Sequence, residues 1–358
     1  MMLRRFSVTN YRGFGRKLEL DLTRRGDYGF SGSCVSDQGI SKSMVYGVNG
    51  IGKTNLGYAI TDIVYTLTDS VPSQYQIDES TFLNGHDDLG CAEFEYEFGL
   101  GDHIVVYSYR KESPYRIIRE SLMVDGVPIM FSDSCPEGNG HRGLKTCMSR
   151  LRSMMDDPCR NGYHVLDDLR DFVGHMVYFG PVARGTVTDC PDSMGWMDDF
   201  IVSMDLVSDF QDFLHGMTGE DIRLEEREGI IHQLFDRASL PFPSVRSSGT
   251  SELERLYCLI RGFGDASFLY LDGFDGSCHF DLARRMARCV LEAFADSQVM
   301  MVGYNTALIG TDMMRPDCYL VLSEGGLASF DESTDRELCE GHNLERMYRA
   351  GAFDNHVG

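Results

Sequence analysis

The chain has 358 residues, enough for two cores of ordinary size at about 100–200 residues per domain. Apolar residues make up 42% and charged residues 25%, a composition that excludes a disordered or purely coiled-coil protein. Lysine and arginine number 33 against 55 aspartates and glutamates, so the net charge of −22 disfavours a long footprint on a nucleic-acid backbone.

The 11 cysteines are scattered and form no CxxC pair, so the sequence predicts neither a disulfide framework nor a zinc knuckle. The first residues, MMLRRFSVTNYRGF, lack the apolar core of a signal peptide. The apolar runs are much shorter than the ~18 residues that a membrane-spanning helix needs. We therefore expect a reduced, cytoplasmic protein that does not contact a membrane.

The N-terminal residues alternate between apolar and polar as strands do, with a turn at residues 10–14. A short apolar strand at residues 44–46 leads into a glycine-rich stretch. The segment that follows places its apolar residues on one face of a predicted helix: Leu56, Ile60, Ile63, Val64 and Leu67.

Further along the chain, residues 92–130 predict a β-meander, because aromatic and β-branched runs are separated by Gly-Asp and Asp-Gly turns. Residues 132–162, rich in Gly, Ser, Asp and Arg, predict an exposed insertion. A helix is expected over 196–214 and a hairpin over 221–235. After residue 250, helical and apolar-strand patterns alternate, which indicates a mostly parallel sheet covered by helices.

The glycine-rich stretch, GVNGIGKT at residues 47–54, matches G-x-x-x-x-G-K-[ST] and lies between a strand and a helix, as that motif requires. Its glycines let backbone N–H groups surround a phosphate, and the helix N-terminus adds partial positive charge. Lys53 would reach the β- and γ-phosphates, and the Thr54 hydroxyl would bind Mg²⁺. The residues predicted to bind the nucleotide here are Asn49, Gly50, Gly52, Lys53, Thr54 and Asn55.

Two later segments complete the pattern. SFLYLDGFDG at residues 267–276 ends an apolar strand with Asp272, as a Walker B aspartate that holds Mg²⁺ should be placed. SSGTSEL at residues 247–253 is a serine–glycine turn that opens a helix, and it resembles the ABC signature. Either segment alone is common, as an ordinary strand end or serine N-cap. Along the chain the glycine loop comes first, then the signature-like turn and then Asp272. This order favours the functional interpretation of both segments.

Together these motifs resemble the small RecF/OLD-like ABC-type ATPases of bacterial abortive-infection and antiphage systems. The resemblance runs from FSVTNYRGF and YGVNGIGKTNL, through the EFEYEF meander, to YLDGFDGSCH and the tail GHNLERMYRAGAF, and is weakest in the middle third. It implies an α/β fold of the ABC-type P-loop NTPase head, with a mixed sheet flanked by helices, an antiparallel β-meander and an inserted, mainly helical region.

The resemblance also implies ligands and segments. ATP and Mg²⁺ would bind, with Thr54 and Asp272 on the metal and with Arg12, Ser248 and Gly249 added to the nucleotide-binding residues. We expect five segments. The first three are an N-terminal lobe with the P-loop (1–75), the β-meander (76–131) and an insertion that offers a docking surface (132–240). The last two are a C-terminal lobe with the signature, Walker B and switch strand (241–330) and a tail (331–358).

Two positions depart from the family pattern. Gly273 stands where the family has the glutamate that polarises the attacking water, and Tyr304 stands where its switch strand ends in a histidine. The nearest replacement candidates are Asp275 and His279. We therefore expect a competent nucleotide binder with weak or absent hydrolysis, and we assign no catalytic residue.

Three functions remain open. In the leading one, ATP is sandwiched between P-loop and signature of a homodimer that regulates a protein effector encoded by a neighbouring gene. In the second, an active RecF- or SMC-like ATPase acts on DNA ends or gaps. The charge and the absence of heptad arms between Lys53 and Ser247 count against it, and its DNA contact would lie in the basic segment of Arg142, Lys145, Arg150 and Arg152. The third, an OLD-type nuclease with a Toprim domain, needs a metal module for which the short stretch after the last strand leaves no room.

Overall fold

The computed structural model describes residues 1–68, 78–86, 89–133, 137–139, 145–147, 149–156, 164–180, 195–276 and 278–354. The strands, in chain order, are β1 (Met2–Thr9), β2 (Leu18–Asp21), β3 (Val35–Ser36), β4 (Gly39–Ile40), β5 (Lys42–Tyr46), β6 (Ala92–Leu100), β7 (His103–Ser113), β8 (Arg116–Val124), β9 (Val127–Ser132), β10 (Glu137–Asn139), β11 (Lys145–Cys147), β12 (Met176–Phe179), β13 (Arg223–Arg227), β14 (Ile230–Leu234), β15 (Ser239–Pro241), β16 (Phe268–Leu271), β17 (Gln298–Val302), β18 (Tyr319–Ser323) and β19 (Gly326–Ser329).

The helices are α1 (Lys53–Leu67), α2 (Arg150–Asp156), α3 (His164–Gly174), α4 (Gly195–Ser203), α5 (Val207–Thr218), α6 (Phe242–Val245), α7 (Ser248–Gly262), α8 (Phe280–Ala293) and α9 (Leu344–Arg349). None of the helices within the described ranges is long and apolar enough to cross a membrane.

One sheet carries the predicted parallel strands. Its order is β12-β16-β17-β5-β18-β19, and its neighbouring strands run parallel except for the last pair. All residues of β5, β12, β16 and β17 are buried, as expected for strands covered on both faces. The predicted alternation of helices and apolar strands after residue 250 is confirmed by α7, β16, α8, β17 and β18.

A second sheet contains the predicted meander. Over the described residues its order is β10-β11-β8-β7-β6-β1-β2, with β9 also paired to β8. The four meander strands pair antiparallel in sequence order, so that prediction is confirmed. The predicted hairpin is formed by β13 and β14, with β15 as a third strand.

Helix α1 lies between the two large sheets and contacts both. On one side, the Tyr96 hydroxyl donates to the Ala59 carbonyl at 2.8 Å, and Tyr109 and Lys111 donate to one carboxylate oxygen of Asp62 at 2.7 and 2.6 Å. On the other side, Gly57 faces the six-stranded sheet. The buried charge pair fixes the helix against the meander, because a buried charge is tolerated only with well-placed partners.

The helix predicted over residues 196–214 is wrong as a single element. The structure has two helices, α4 and α5, separated by Asp205 in a left-handed conformation at φ 55°. Met204 shares the apolar spacing by threes and fours with Phe210 and Leu214, which predicts one buried face, but Met204 is 59% exposed while the other two are buried. The apolar spacing could not reveal a break that leaves most of the face intact.

Gly57 generates a stability prediction. A Cβ at this position would lie 2.5 Å from the Tyr270 ring and 2.8 Å from the Tyr178 ring, so Gly57→Ala should destabilise the protein by about 1–3 kcal/mol. Gly216→Ala is the matched control, because a Cβ there meets nothing within 4 Å in helix α5 and should stabilise by about 0.5–1 kcal/mol. Urea unfolding measures both, and equal shifts in the two variants would contradict the packing of α1.

Candidate nucleotide site

The glycine-rich stretch forms a tight loop between β5 and α1. Gly47, Gly50 and Gly52 have φ of 151°, 84° and 113°, a region that side chains with a Cβ rarely adopt. At Gly47 a Cβ would also lie 2.5 Å from the Leu322 carbonyl oxygen, and at Gly52 it would lie 3.0 Å from the Phe14 ring. The loop therefore needs glycine for both conformation and space.

Lys53 begins α1 and turns back over the loop. Its ammonium donates to the Gly47 carbonyl at 2.6 Å and to the Val48 carbonyl at 3.2 Å, and it lies 4.6 Å from the centroid of the Tyr304 ring. Burial lowers the pKa of Lys53, while Asp272 and Asp275 act in the opposite direction. A partly desolvated ammonium on a glycine loop is well placed to attract phosphate.

Thr54 and Asp272 meet at the end of β16. The Thr54 hydroxyl donates to Asp272 Oδ2 at 2.7 Å, and the Tyr178 hydroxyl donates to the same oxygen at 3.0 Å. Burial, followed by the charge of Asp272, raises the pKa of Tyr178 well above its usual range, so its hydroxyl stays protonated and donates. Asp272 is fully buried, and the Phe179 carbonyl accepts its backbone N–H at 2.8 Å.

This pair fits a divalent cation. The second carboxylate oxygen of Asp272, Oδ1, is buried and has no hydrogen-bond partner among the described residues. Magnesium prefers a few carboxylate and hydroxyl oxygens together with phosphate oxygens. Thr54 and Asp272 supply such oxygens directly beside the loop, so they are the residues that would hold the metal.

Asp275 ties the segment after β16 to the end of β17. Its Oδ2 accepts the backbone N–H groups of Tyr304 at 2.8 Å and of Asn305 at 2.7 Å. Its Oδ1 is buried without a partner in the described part of the chain, and burial raises the pKa of this carboxyl. Asp275 thus fixes the backbone that places the Tyr304 ring over Lys53.

Two other predicted positions are also placed. Gly273 has φ 67°, so a left-handed turn occupies the position where the family carries its glutamate. The side chain of His279 is 69% exposed and its ring lies beside Phe280, 4.1 Å between centroids. No described contact links His279 to Lys53 or Asp272, whereas Asp275 contacts the Tyr304 backbone.

The structure places Arg12 beside the first turns of α1. Its guanidinium carbon lies 5.4 Å from the Tyr58 ring centroid and 5.5 Å from that of Tyr11, and its Nε donates to the Tyr11 hydroxyl. In the same turn, the Cβ position of Gly13 lies 3.5 Å from the Asn55 side chain. The turn at residues 10–14 therefore lies against the glycine loop and the first turn of α1.

Ser248 and Gly249 lie at the N-terminus of α7, where the Ser247 side chain caps the helix by accepting the Thr250 N–H at 3.1 Å. A Cβ on Gly249 would lie 3.9 Å from Leu282 in α8. No hydrogen bond within the described ranges joins Ser248 or Gly249 to residues 47–54. The contacts of Ser248 and Gly249 in their own chain are thus with α7 and α8.

A buried charge cluster anchors this helix terminus, and the sequence motifs did not reveal it. Arg246 donates to Glu254 of α7 and, at 3.2 Å, to Asp198 of α4. Burial, then the neighbouring Asp198, raises the pKa of Glu254 to about 8, although Arg246 opposes the shift. Burial likewise raises the pKa of Asp198, and Arg246 opposes that shift as well.

Tyr178 is a further site residue that sequence reasoning missed. It lies in β12, a strand without a recognised motif, and only the parallel pairing of β12 with β16 brings its hydroxyl to Asp272.

The basic segment is described only in part. Arg142 lies outside the described residues, and the side chain of Lys145 is not described. Arg152 donates to the Thr68 carbonyl at 2.9 Å, and the Arg150 backbone N–H donates to Glu120.

No family model and no curated protein matches the sequence. Solved structures are similar in fold. A crystal structure of the Smc head bound to the C-winged-helix domain of ScpA has a TM-score of 0.51 and 15% identity, and covers 92% of this chain and 98% of that one. An Smc head domain with an extended coiled coil, bound to the C-terminal domain of ScpA from Pyrococcus furiosus, has a TM-score of 0.51 and 13% identity, covering 97% and 98%.

The fold is similar to that of SMC head domains. The expected α/β fold class, with a mixed sheet flanked by helices and an antiparallel β-meander, is confirmed. At these identities the likeness concerns the fold alone, and it does not show the expected RecF/OLD-like branch.

The geometry of Lys53 generates a binding prediction. Lys53→Ala should weaken ATP binding by about 10- to 100-fold, because it removes the ammonium that the loop holds toward the phosphates. Lys17→Ala is the control, since this lysine is exposed and pairs with Glu19 on β2. Calorimetric titration with Mg-ATP measures the affinities. Equal affinity in the wild type and Lys53→Ala would refute the assignment.

Proposed function

We propose that the chain is an ATP-binding ABC-type ATPase head that dimerises on nucleotide and regulates a partner effector. The observation that carries the proposal is the contact between Thr54, in the first turn after the glycine loop, and the buried Asp272 at the end of β16. A phosphate-binding loop, a lysine and a metal-binding pair then lie together at the carboxyl end of a parallel sheet, where α/β proteins bind ligands.

The residues of this chain have distinct tasks in the proposed site. The glycine loop and the N-terminus of α1 bind phosphate oxygens through backbone N–H groups. Lys53 supplies positive charge, while Thr54 and Asp272 hold Mg²⁺, which would neutralise phosphate charge. Tyr178 keeps the Asp272 carboxylate in place by its hydrogen bond at 3.0 Å. Arg12 lies at the edge of the site, against α1.

The dimer is proposed from the resemblance of residues 247–253 to the ABC signature, which in that family contacts a nucleotide held by a second subunit. Since no hydrogen bond among the described residues joins Ser248 or Gly249 to the loop of their own chain, we propose that they complete the nucleotide site of a second copy. Both residues begin α7, whose free backbone N–H groups and partial positive charge suit a phosphate. Two heads related by a twofold axis would then enclose two nucleotides.

Sedimentation tests the dimer. ATP with Mg²⁺ should convert wild-type monomers into dimers, and Ser248→Arg should prevent this while leaving ATP binding intact, because a bulky cation would occupy the proposed interface. Ser208→Arg is the control, since it changes another exposed serine in the first turn of a helix, α5. An identical mass for all three proteins with and without ATP would contradict nucleotide-gated dimerisation.

We propose that hydrolysis is weak, because neither Gly273 nor Tyr304 offers the usual catalytic group. Asp275, the replacement candidate two residues after Gly273, accepts two backbone N–H groups with one of its oxygens. Loss of a general base typically lowers a rate by about 10²–10⁴-fold. The function of this head would then depend on nucleotide binding and release rather than on rapid turnover.

Gly273→Glu tests the missing carboxylate. The variant should hydrolyse ATP faster than the wild type, although φ 67° at this position strains any residue with a Cβ. Gly273→Ala is the matched control, because it carries the same strain without the carboxylate and should stay slow. Phosphate release under single-turnover conditions separates the outcomes. Rapid hydrolysis by the wild type would show that another group activates the water.

Resemblance to the defence-associated branch and a net charge of −22 support a protein effector, encoded by a neighbouring gene, as the partner. Fold similarity to SMC heads supports the second candidate, an ATPase that acts on DNA. Two features of the chain discriminate between them. The excess of acidic residues opposes a phosphate footprint, and Arg152 of the basic segment is engaged with the Thr68 carbonyl.

Co-expression with the neighbouring genes, followed by affinity purification, separates the two candidates. The effector hypothesis predicts a stable complex whose amount changes with ATP. The DNA hypothesis predicts a chain that purifies alone and binds duplex DNA tightly, with affinity that falls steeply as salt rises. Arg150→Ala should weaken such DNA binding but leave the effector complex unchanged, because Arg150 is an exposed member of the basic segment.

A further inference from the structure

The C-terminal tail folds back onto the nucleotide site. Helix α9 begins after Asn343, whose side chain accepts the Arg346 N–H at 2.8 Å, and it is anchored by the buried Leu344. After the helix, Phe353 stacks on Phe330 with ring centroids 4.1 Å apart. These contacts hold the tail against the end of β19, so α9 has a fixed position.

Two side chains of α9, one turn apart, reach different parts of the site. Glu345 accepts a hydrogen bond from the Thr306 hydroxyl at 3.0 Å. The Tyr348 ring lies between Phe330, at 5.7 Å, and Tyr46, at 5.4 Å between centroids. Tyr46 is the last residue of β5 and directly precedes Gly47, so this ring contact reaches the start of the glycine loop.

These contacts involve the two backbone segments that surround Lys53. Gly47 opens the glycine loop, and its carbonyl accepts a bond from the Lys53 ammonium. Thr306 follows directly on Tyr304 and Asn305, which Asp275 holds. The Tyr46 hydroxyl links the same two segments, because it donates to the Asn305 carbonyl at 3.2 Å.

We propose that α9 is a positioning element of the nucleotide site, in which Glu345 and Tyr348 fix the end of β17 and the start of the glycine loop relative to each other. This proposal rests on the proposed ATP-binding function. It assigns to the tail a task in setting nucleotide affinity, beyond covering the apolar edge of β18 and β19. Glu345 and Tyr348 act through Thr306 and Tyr46, and neither is proposed to touch a phosphate.

A purely structural role of the tail predicts something different. The apolar contacts of Leu344 and Phe353 would suffice to hold the tail, and polar changes on α9 would then alter neither the loop nor the end of β17. Glu345 is suited to the test because its bond to Thr306 can be removed by alanine and restored by glutamine, whose side-chain oxygen also accepts.

Hydrogen exchange in the nucleotide-free protein is the first measurement. Glu345→Ala should speed exchange of the Tyr304 and Asn305 amides about fivefold, the effect of one lost hydrogen bond, and Glu345→Gln should restore the wild-type rate. Arg349→Ala is the control, because it removes the 3.7 Å ion pair with Glu345 and leaves the Thr306 bond. Wild-type exchange at both amides in Glu345→Ala would overturn the proposal.

The second measurement is the affinity for ATP, determined by titration calorimetry. Glu345→Ala should weaken binding about fivefold, with Glu345→Gln and Arg349→Ala close to wild type. If the wild type and Lys53→Ala both fail to bind ATP, the proposed function fails, whereas the exchange result still decides the positioning contacts. If the wild type binds and all α9 variants bind equally well, the positioning proposal alone is overturned.

Discussion

Two buried tyrosines, Tyr178 and Tyr270, connect the packing of the fold to the candidate site. Their rings fill the space at Gly57, so α1 approaches the six-stranded sheet at a distance that only glycine permits. Their hydroxyls extend to the site itself, where Tyr270 donates to the Lys53 carbonyl at 2.5 Å and Tyr178 donates to Asp272 at 3.0 Å. The distance between the glycine loop and Asp272 is therefore set by core packing.

The electrostatics of the site follow from burial. Lys53, Asp272 and Asp275 are all buried in a chain of net charge −22, and each carboxylate keeps one buried oxygen without a partner among the described residues. An unpaired buried polar atom costs about 1–3 kcal/mol, so such atoms are expected where a ligand is bound. An anionic ligand suits Lys53, and a divalent cation suits Asp272; a nucleotide with its metal satisfies both.

Local patterns were enough to predict much of the fold. The glycine loop, the meander and the alternation after residue 250 are encoded in short stretches whose periodicity or composition identifies them. The break at Asp205 was not predictable, because one left-handed residue leaves the apolar spacing nearly unchanged. Tyr178 and the pairing of Arg246 with Glu254 and Asp198 depend on which strands and helices become neighbours, which no local pattern specifies. Gly273 and Tyr304 were found by comparison with the resembling family, and the structure adds the left-handed turn and the contact with Lys53.

We propose that Asp272, held beside Thr54, binds a metal ion together with ATP. The dependence of ATP affinity on Mg²⁺ tests it most directly, in the wild type, in Asp272→Asn and in Asp221→Asn, which changes an exposed carboxylate. Mg²⁺ should strengthen ATP binding by the wild type and by Asp221→Asn, and this gain should fall by about tenfold or more in Asp272→Asn. If Mg²⁺ strengthens ATP binding equally in all three proteins, Asp272 does not bind the metal.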